Sequence, residues 1–187
     1  MRLSPAYAPI IALSTLLFAA TGFAECPSKS DLLKGGIRFQ VSPTGARETH
    51  IQVADGMTEV LIRFADGTGN KMRYAHGVYA TSSKSLKGVE GSTFASAEDY
   101  RRWPAPKPKT RIRLPNARGD IQVTTGAITS IKWGTCTFKM FEVAQTFPDE
   151  PGVKETYQYL PELGIGLAHR FQNGSGEDVY TYKLVAQ

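Results

Sequence analysis

The chain lacks the signatures of most familiar catalysts. It has no Gly-x-Ser-x-Gly turn, no glycine-rich phosphate loop followed by Lys-Ser/Thr, and no His-Glu-x-x-His. Nucleophile-elbow hydrolysis, phosphate-loop nucleotide binding and zinc-protease chemistry therefore have no sequence basis here. Only three histidines and two cysteines occur, and the cysteines are not spaced Cys-x-x-Cys. Dithiol exchange needs that close spacing, so redox catalysis is not expected. No cofactor is expected either. Long apolar runs are also scarce. Residues 10–20, IIALSTLLFAA, form the longest one, and eleven residues fall short of the roughly 20 that cross a bilayer.

That run reads as part of an export leader. Arg2 precedes it, and the small residues Gly22 and Ala24 follow it. A positive start, an apolar centre and a small-x-small end predict a secretory signal peptide over 1–24, cleaved after Ala24. The remaining 25–187 is one domain of 163 residues, long enough for a real core. Glu25 stands directly before Cys26 and breaks the Leu-small-small-Cys pattern of lipid-modified bacterial N-termini. The mature chain is thus expected to carry no lipid and not to span a membrane. In an oxidising compartment Cys26 and Cys136 are expected to pair. The periplasm of a Gram-negative bacterium is the predicted location. Without Arg2 the chain holds 21 basic and 17 acidic residues, a net charge of +4. That charge suits an anionic envelope surface, and nucleic acid is not an expected partner for an exported chain.

The hydrophobic pattern has a period of two, which marks strands with one buried and one wet face. IRFQV (37–41), ETHIQVA (48–54) and TEVLIRF (58–64) all show it. In the second, Ile51 and Val53 are expected inward and His50 outward. Asp55-Gly56 and Asp66-Gly67 predict hairpin turns. KMRYAHGVYATS follows, so the first half is a meander of four or five strands. The Asp66–Asn70 stretch begins like a calcium loop. It then places Lys71 where glycine is needed and Gly77 where the bidentate glutamate is needed, so a hairpin is expected.

Residues 84–118 are irregular. Ser96-Ala97-Glu98-Asp99 predicts a short capped helix, ended by Trp103-Pro104. Prolines 104, 106, 108 and 115 then favour extended chain and a long crossover within one sheet system. SKSDLLK (28–34), stopped by Gly35-Gly36, predicts another short helix. Beyond 118, GDIQVTT, AITSIKW, TCTFKMFEVAQTF, KETYQYL, IGLAHRFQ and EDVYTYKLV read as strands. In the third of these, Cys136, Phe138 and Met140 share a face while Phe141 and Val143 fall on the other. A bulge or burial on both faces would account for that. Tyr157, Tyr159, Ile165, Leu167, Phe171, Tyr180, Tyr182 and Leu184 are the inward candidates. The fold class is all-β: a curved antiparallel sheet, as open half barrel or sandwich, of about ten strands with one or two short helices.

WGTCTFKMFEV, then ETYQYLPELGIGLAHRFQ, then VYTYKLV resembles the C-terminal half of uncharacterised proteobacterial periplasmic proteins. Those are similar to lipoprotein-carrier-like folds. The resemblance implies an open half barrel around an apolar ligand and assigns no functional residue.

Two groups of side chains are candidates for binding. Arg101, Arg102, Lys107, Lys109, Arg111 and Arg113 surround Trp103. Such a patch attracts anions, and Trp103 could enter a membrane interface or stack on a sugar; the alternative is a solvated connector with one anchoring tryptophan. Eight tyrosines and nine phenylalanines can wall an apolar pocket with polar tips, or simply pack a sheet. His76 and His169 fall on apolar faces and read as core or edge histidines, or as pocket residues. No metal site is predicted. Three functions follow: a non-catalytic carrier of a lipid or other apolar ligand, an envelope interaction protein using the 101–113 segment, and, least supported, an enzyme.

Overall fold

The computed structural model describes residues 26–54, 56–88, 91–116 and 119–185. The expected signal peptide lies outside the described residues, as does Asp55 of the first expected hairpin. Two seven-stranded antiparallel sheets and two six-residue helices make up the fold. The all-β class is therefore as the alternation implies, in its two-sheet form.

The first sheet holds β1 (Ile37–Ser42), β2 (Arg47–Ala54), β3 (Met57–Arg63), β4 (Gly69–Ala75), β5 (Tyr79–Ser85) and the two-residue β6 (Ser92–Thr93). These run as a meander in chain order. The second sheet holds β7 (Arg111–Leu114), β8 (Ile121–Thr125), β10 (Cys136–Thr146), β11 (Lys154–Leu160), β12 (Ile165–Asn173) and β13 (Gly176–Val179), with β9 (Thr129–Trp133) paired to β10. β14 (Thr181–Leu184) pairs with β1 and returns the chain to the edge of the first sheet. Only Tyr180 separates β13 from β14, so this last stretch switches sheets and makes a corner. The described residues form 14 strands rather than about ten. The excess is physical: the 71–82 run breaks at the His76-Gly77 turn, the last run divides at the corner, and β6 and β7 are short edge pieces.

Between the sheets lie two apolar clusters. In one, Val60, Tyr74, Val78 and Tyr79 meet Val123, Phe141, Val143, Tyr157 and Tyr159. In the other, Leu32, Ile37 and Phe39 meet Cys136, Phe138, Leu160, Ile165 and Leu167. β10 serves both, with Cys136 and Phe138 on one face and Phe141 and Val143 on the other. Thr137, Lys139 and Glu142 are exposed, so each half of β10 buries one face only, and the buried phase shifts by one residue between Phe138 and Phe141.

The helices form where caps and stops place them. α1 (Lys29–Lys34) begins at Ser28, whose backbone N–H donates to the Asp31 carboxylate at 2.7 Å. It buries Leu32 in the second cluster. α2 (Ala97–Arg102) is capped by Ser96, whose hydroxyl accepts from the Asp99 N–H at 3.1 Å, and it stops at Trp103. Cys26 and Cys136 are bonded, with Cα atoms 5.4 Å apart across 110 residues of sequence. The bond ties the segment before α1 to the start of β10.

Two faces differ from the alternation. In β2 the register sets Ile37 opposite His50 and Phe39 opposite Glu48. Glu48 and His50 therefore point inward, His50 is 1% exposed, and Val53 points to solvent. A shift of one residue in register reverses every side chain of a strand, and apolar content alone does not set it. The polar pair can be buried because its members bond each other: His50 Nε2 lies 3.1 Å from Glu48 Oε2. In β12, Tyr157 faces Ala168 while Thr156 faces Arg170, which leaves His169 as an extra residue. This bulge moves Phe171 off the face of Leu167.

Candidate functional site

The site grows out of that bulge. Beyond it, Phe171 pairs with Glu155 on β11, and two residues along the same strand Tyr157 occupies the same face. On the facing sheet Met72 and Tyr74 alternate along β4. Where the sheets separate, a cavity of about 330 Å³ opens between them. Met72, Ile121, Phe147 and Phe171 give it apolar walls, and Tyr74, Tyr157 and Glu155 give it polar tips. Its size lies at the lower end of small-molecule pockets, which run from about 300 to 1,000 Å³.

The rings of Tyr74 and Tyr157 meet edge to face, 6.1 Å between centroids, and join the two sheets. The Tyr157 hydroxyl donates to Glu155 Oε2 at 2.7 Å. Burial pushes the Glu155 carboxyl above its ordinary range; the Tyr157 bond opposes this, and the Glu150 charge adds to it. Burial likewise raises the hydroxyls of Tyr74 and Tyr157, so both stay protonated and able to donate at neutral pH. Gln145, 2% exposed, also lines the cavity, and its side-chain amide donates to the Val78 carbonyl at 2.9 Å. Beside this chamber, the Tyr182 hydroxyl donates to the Ala168 carbonyl at 2.9 Å and approaches Glu48 Oε1 at 3.4 Å. Burial raises the Tyr182 hydroxyl, and Glu48 adds to the shift.

The basic segment is elsewhere. Arg101, Arg102, Trp103, Lys107 and Lys109 do not line the cavity. Trp103 is 2% exposed, stacked edge to face on Tyr79 at 5.8 Å, with its indole N–H donating to the Pro115 carbonyl. It is an anchor of the crossover, and its ring is not offered to a membrane or a sugar. Arg101, Arg102, Lys107 and Lys109 are exposed, and Arg102 pairs with Glu98 one turn back in α2. Arg111 and Arg113 are exposed on the edge strand β7.

The histidines do not form one centre with these groups. His76 Nε2 lies 2.7 Å from the Trp103 carbonyl, in a left-handed turn residue with φ of 51°. His169 Nδ1 lies 2.9 Å from the Tyr180 carbonyl. Each is thus bound to backbone at a bend. Among the described residues no group of histidine, cysteine or carboxylate side chains has metal-binding geometry. Nor is any helix among them long and apolar enough to cross a membrane.

Glu155 was not singled out by the alternation. Its signal was present: it stands two residues before the inward Tyr157, so any strand register that buries Tyr157 turns Glu155 inward too. The residues that close the cavity across the sheets, Met72 and Ile121 among them, come together only through the tertiary fold. Comparison of the chain with protein-family models, with curated proteins and with solved structures returns no match.

Proposed function

We propose that the protein is a binding or carrier module that holds an apolar or amphipathic ligand between its sheets. The supporting observation is the inter-sheet cavity, about 330 Å³, whose lining combines apolar Met72, Ile121, Phe147 and Phe171 with polar Tyr74, Tyr157 and Glu155 and the charged Asp149, Glu150 and Arg170. That combination accepts an aliphatic or aromatic body and orients one polar end. Under this reading the C-terminal resemblance to lipoprotein-carrier-like proteins extends to the kind of ligand. The setting proposed is the periplasm, with residues 1–24 removed as a signal peptide after Ala24. The Cys26–Cys136 bond supports export, because such bonds persist in oxidising compartments.

The test is uptake of a neutral apolar fluorophore, N-phenyl-1-naphthylamine. Saturable binding is expected, lost when Ala168→Phe fills the chamber. No saturable uptake by the wild-type protein, or equal uptake by a folded Ala168→Phe variant, contradicts the reading.

A second reading rests on the exposed cations of 101–113. Lys107, Lys109, Arg111 and Arg113 are all solvent-facing, which suits contact with an anionic envelope surface or an acidic protein partner. Replacing Lys107 and Lys109 with glutamine, alongside Arg101 and Arg102, is then expected to release the protein from envelope fractions. Unchanged fractionation removes this reading.

A further inference from the structure

The outer face of the first sheet has a charge arrangement that strand pairing does not balance. In the β4–β5 register Lys71 stands directly opposite Lys84, and Arg73 stands opposite Ser82. Like charges facing each other across a strand pair repel and destabilise the pair. One carboxylate answers them: Glu59 on β3, with Oε1 3.1 Å from Lys71 Nζ and Oε2 3.2 Å from Arg73 Nε. Both its oxygens are thereby used. Among the described residues Lys84 has no ion-pair partner. Three cations and one carboxylate among the described residues leave two positive charges at this spot.

The surface there is concave. A hollow of about 570 Å³ is lined by Lys71, Arg73 and Lys84 and, on the same face of the strands, by Ser82 and Thr93. Its wall is the short strand β6, which approaches β5 closely: a Cβ on Gly91 would fall 1.7 Å from the Ser83 carbonyl oxygen. The lining differs in kind from the inter-sheet cavity. It has no aromatic residue, and its cations and hydroxyls are all able to donate hydrogen bonds.

We infer that this hollow is an anion site, formed by Lys71, Arg73 and Lys84, for a phosphoryl or sulfate group carried by a larger molecule. A tetrahedral dianion cancels the two uncompensated charges and accepts from the guanidinium, the ammonium groups and the hydroxyls. It also relieves the Lys71–Lys84 repulsion, so binding stabilises the β4–β5 pair. The site is independent of the inter-sheet cavity and does not rest on the ligand proposed for it.

The experiment is a titration of the full-length mature protein, at low ionic strength, followed by backbone amide NMR. Two probes are used: sodium pyrophosphate, and vesicles of phosphatidylcholine containing phosphatidic acid. Lys84→Gln is the main variant, since Lys84 is exposed and its loss leaves the Glu59 pairs intact; Ser82→Ala is the second. Saturable shifts confined to 71–73, 82–84 and 92–93 are expected, weakened at least tenfold in Lys84→Gln and further by added salt. Pyrophosphate binding without vesicle binding assigns a soluble phosphorylated ligand. Vesicle binding that Lys84→Gln abolishes assigns a lipid headgroup. No saturable response to either probe, or affinities unchanged in both variants, overturns the proposal.

Discussion

Glu155 shows how one side chain sets conditions on both folding and binding. Its carboxyl is raised by burial, so the folded protein holds that proton more tightly than the unfolded chain does. Stability linked to this group is therefore lost as pH climbs from the ordinary carboxyl range through the raised value. The Glu155→Gln variant removes the titration. Its melting temperature relative to wild type is expected to increase between pH 4 and pH 8, as read by thermal unfolding in a pH series; a pH-independent difference contradicts this. The same carboxylate repels an acidic headgroup. Glu155→Gln is expected to strengthen binding of dodecanoate more than binding of dodecanol, measured by displacement of a bound fluorophore. Glu48 carries a structural role of the same kind. Among the described residues it is the hydrogen-bond partner of the buried His50 Nε2, and His50 Nδ1 has none. Glu48→Ala is expected to cost about 1–3 kcal/mol in urea unfolding, the usual cost of orphaning a buried polar group. Glu98→Ala, which removes an exposed helical pair, is expected to cost less than about 1 kcal/mol.

At the level of elements, the strands follow local chemistry and the faces follow pairing. Asp66 illustrates the first: its side chain accepts from the Thr68 N–H at 2.8 Å and closes the β3–β4 turn, as the Asp-Gly pair implies. Ser96 with Asp99, and Trp103-Pro104 after them, likewise define α2 without help from the rest of the chain. His50 illustrates the second. Its inward position depends on β1 lying beside β2 with Ile37 opposite it, which no short window of sequence contains. The bulge at His169 is equally silent, since IGLAHRFQ alternates without a visible break. That one extra residue puts Phe171 into the cavity, so the candidate site was the less legible part of the molecule. Tyr157 was readable as inward, and Glu155 two residues before it shares that face, while the walls across the sheets were not legible. Two substitutions test how elements are held. Gly77 has a φ of 71°, and a Cβ there would lie 2.1 Å from the Gly164 carbonyl oxygen in the turn before β12. Gly77→Ala is expected to push the β4–β5 turn of the first sheet away from the β11–β12 turn of the second and to lower the melting temperature strongly. Serine at both Cys26 and Cys136 frees the segment before α1. On the chain-entropy account of a loop this long, the loss is about 4–5 kcal/mol in urea unfolding. A loss under about 1 kcal/mol would show that α1 and Leu32 hold the segment without the bond.

For the molecule as a whole, two sheets share two apolar clusters, and the Tyr74–Tyr157 contact that joins the sheets borders the cavity. The apolar clusters make the scaffold, and the gap between the sheets makes the proposed binding chamber. Filling the gap with a ligand should therefore stabilise the fold in proportion to ligand concentration, by mass action. The basic faces lie outside that gap, on the outer side of β4–β5 and along β7, so surface contact and interior binding are separable by mutation. The most direct test of binding between the sheets is native mass spectrometry of the protein purified without added ligand, with Ala168→Phe as control. A bound apolar or amphipathic mass is expected on the wild-type protein and none on a folded Ala168→Phe variant. A wild-type protein that carries no added mass and takes up none from a dodecanol-containing solution would contradict it.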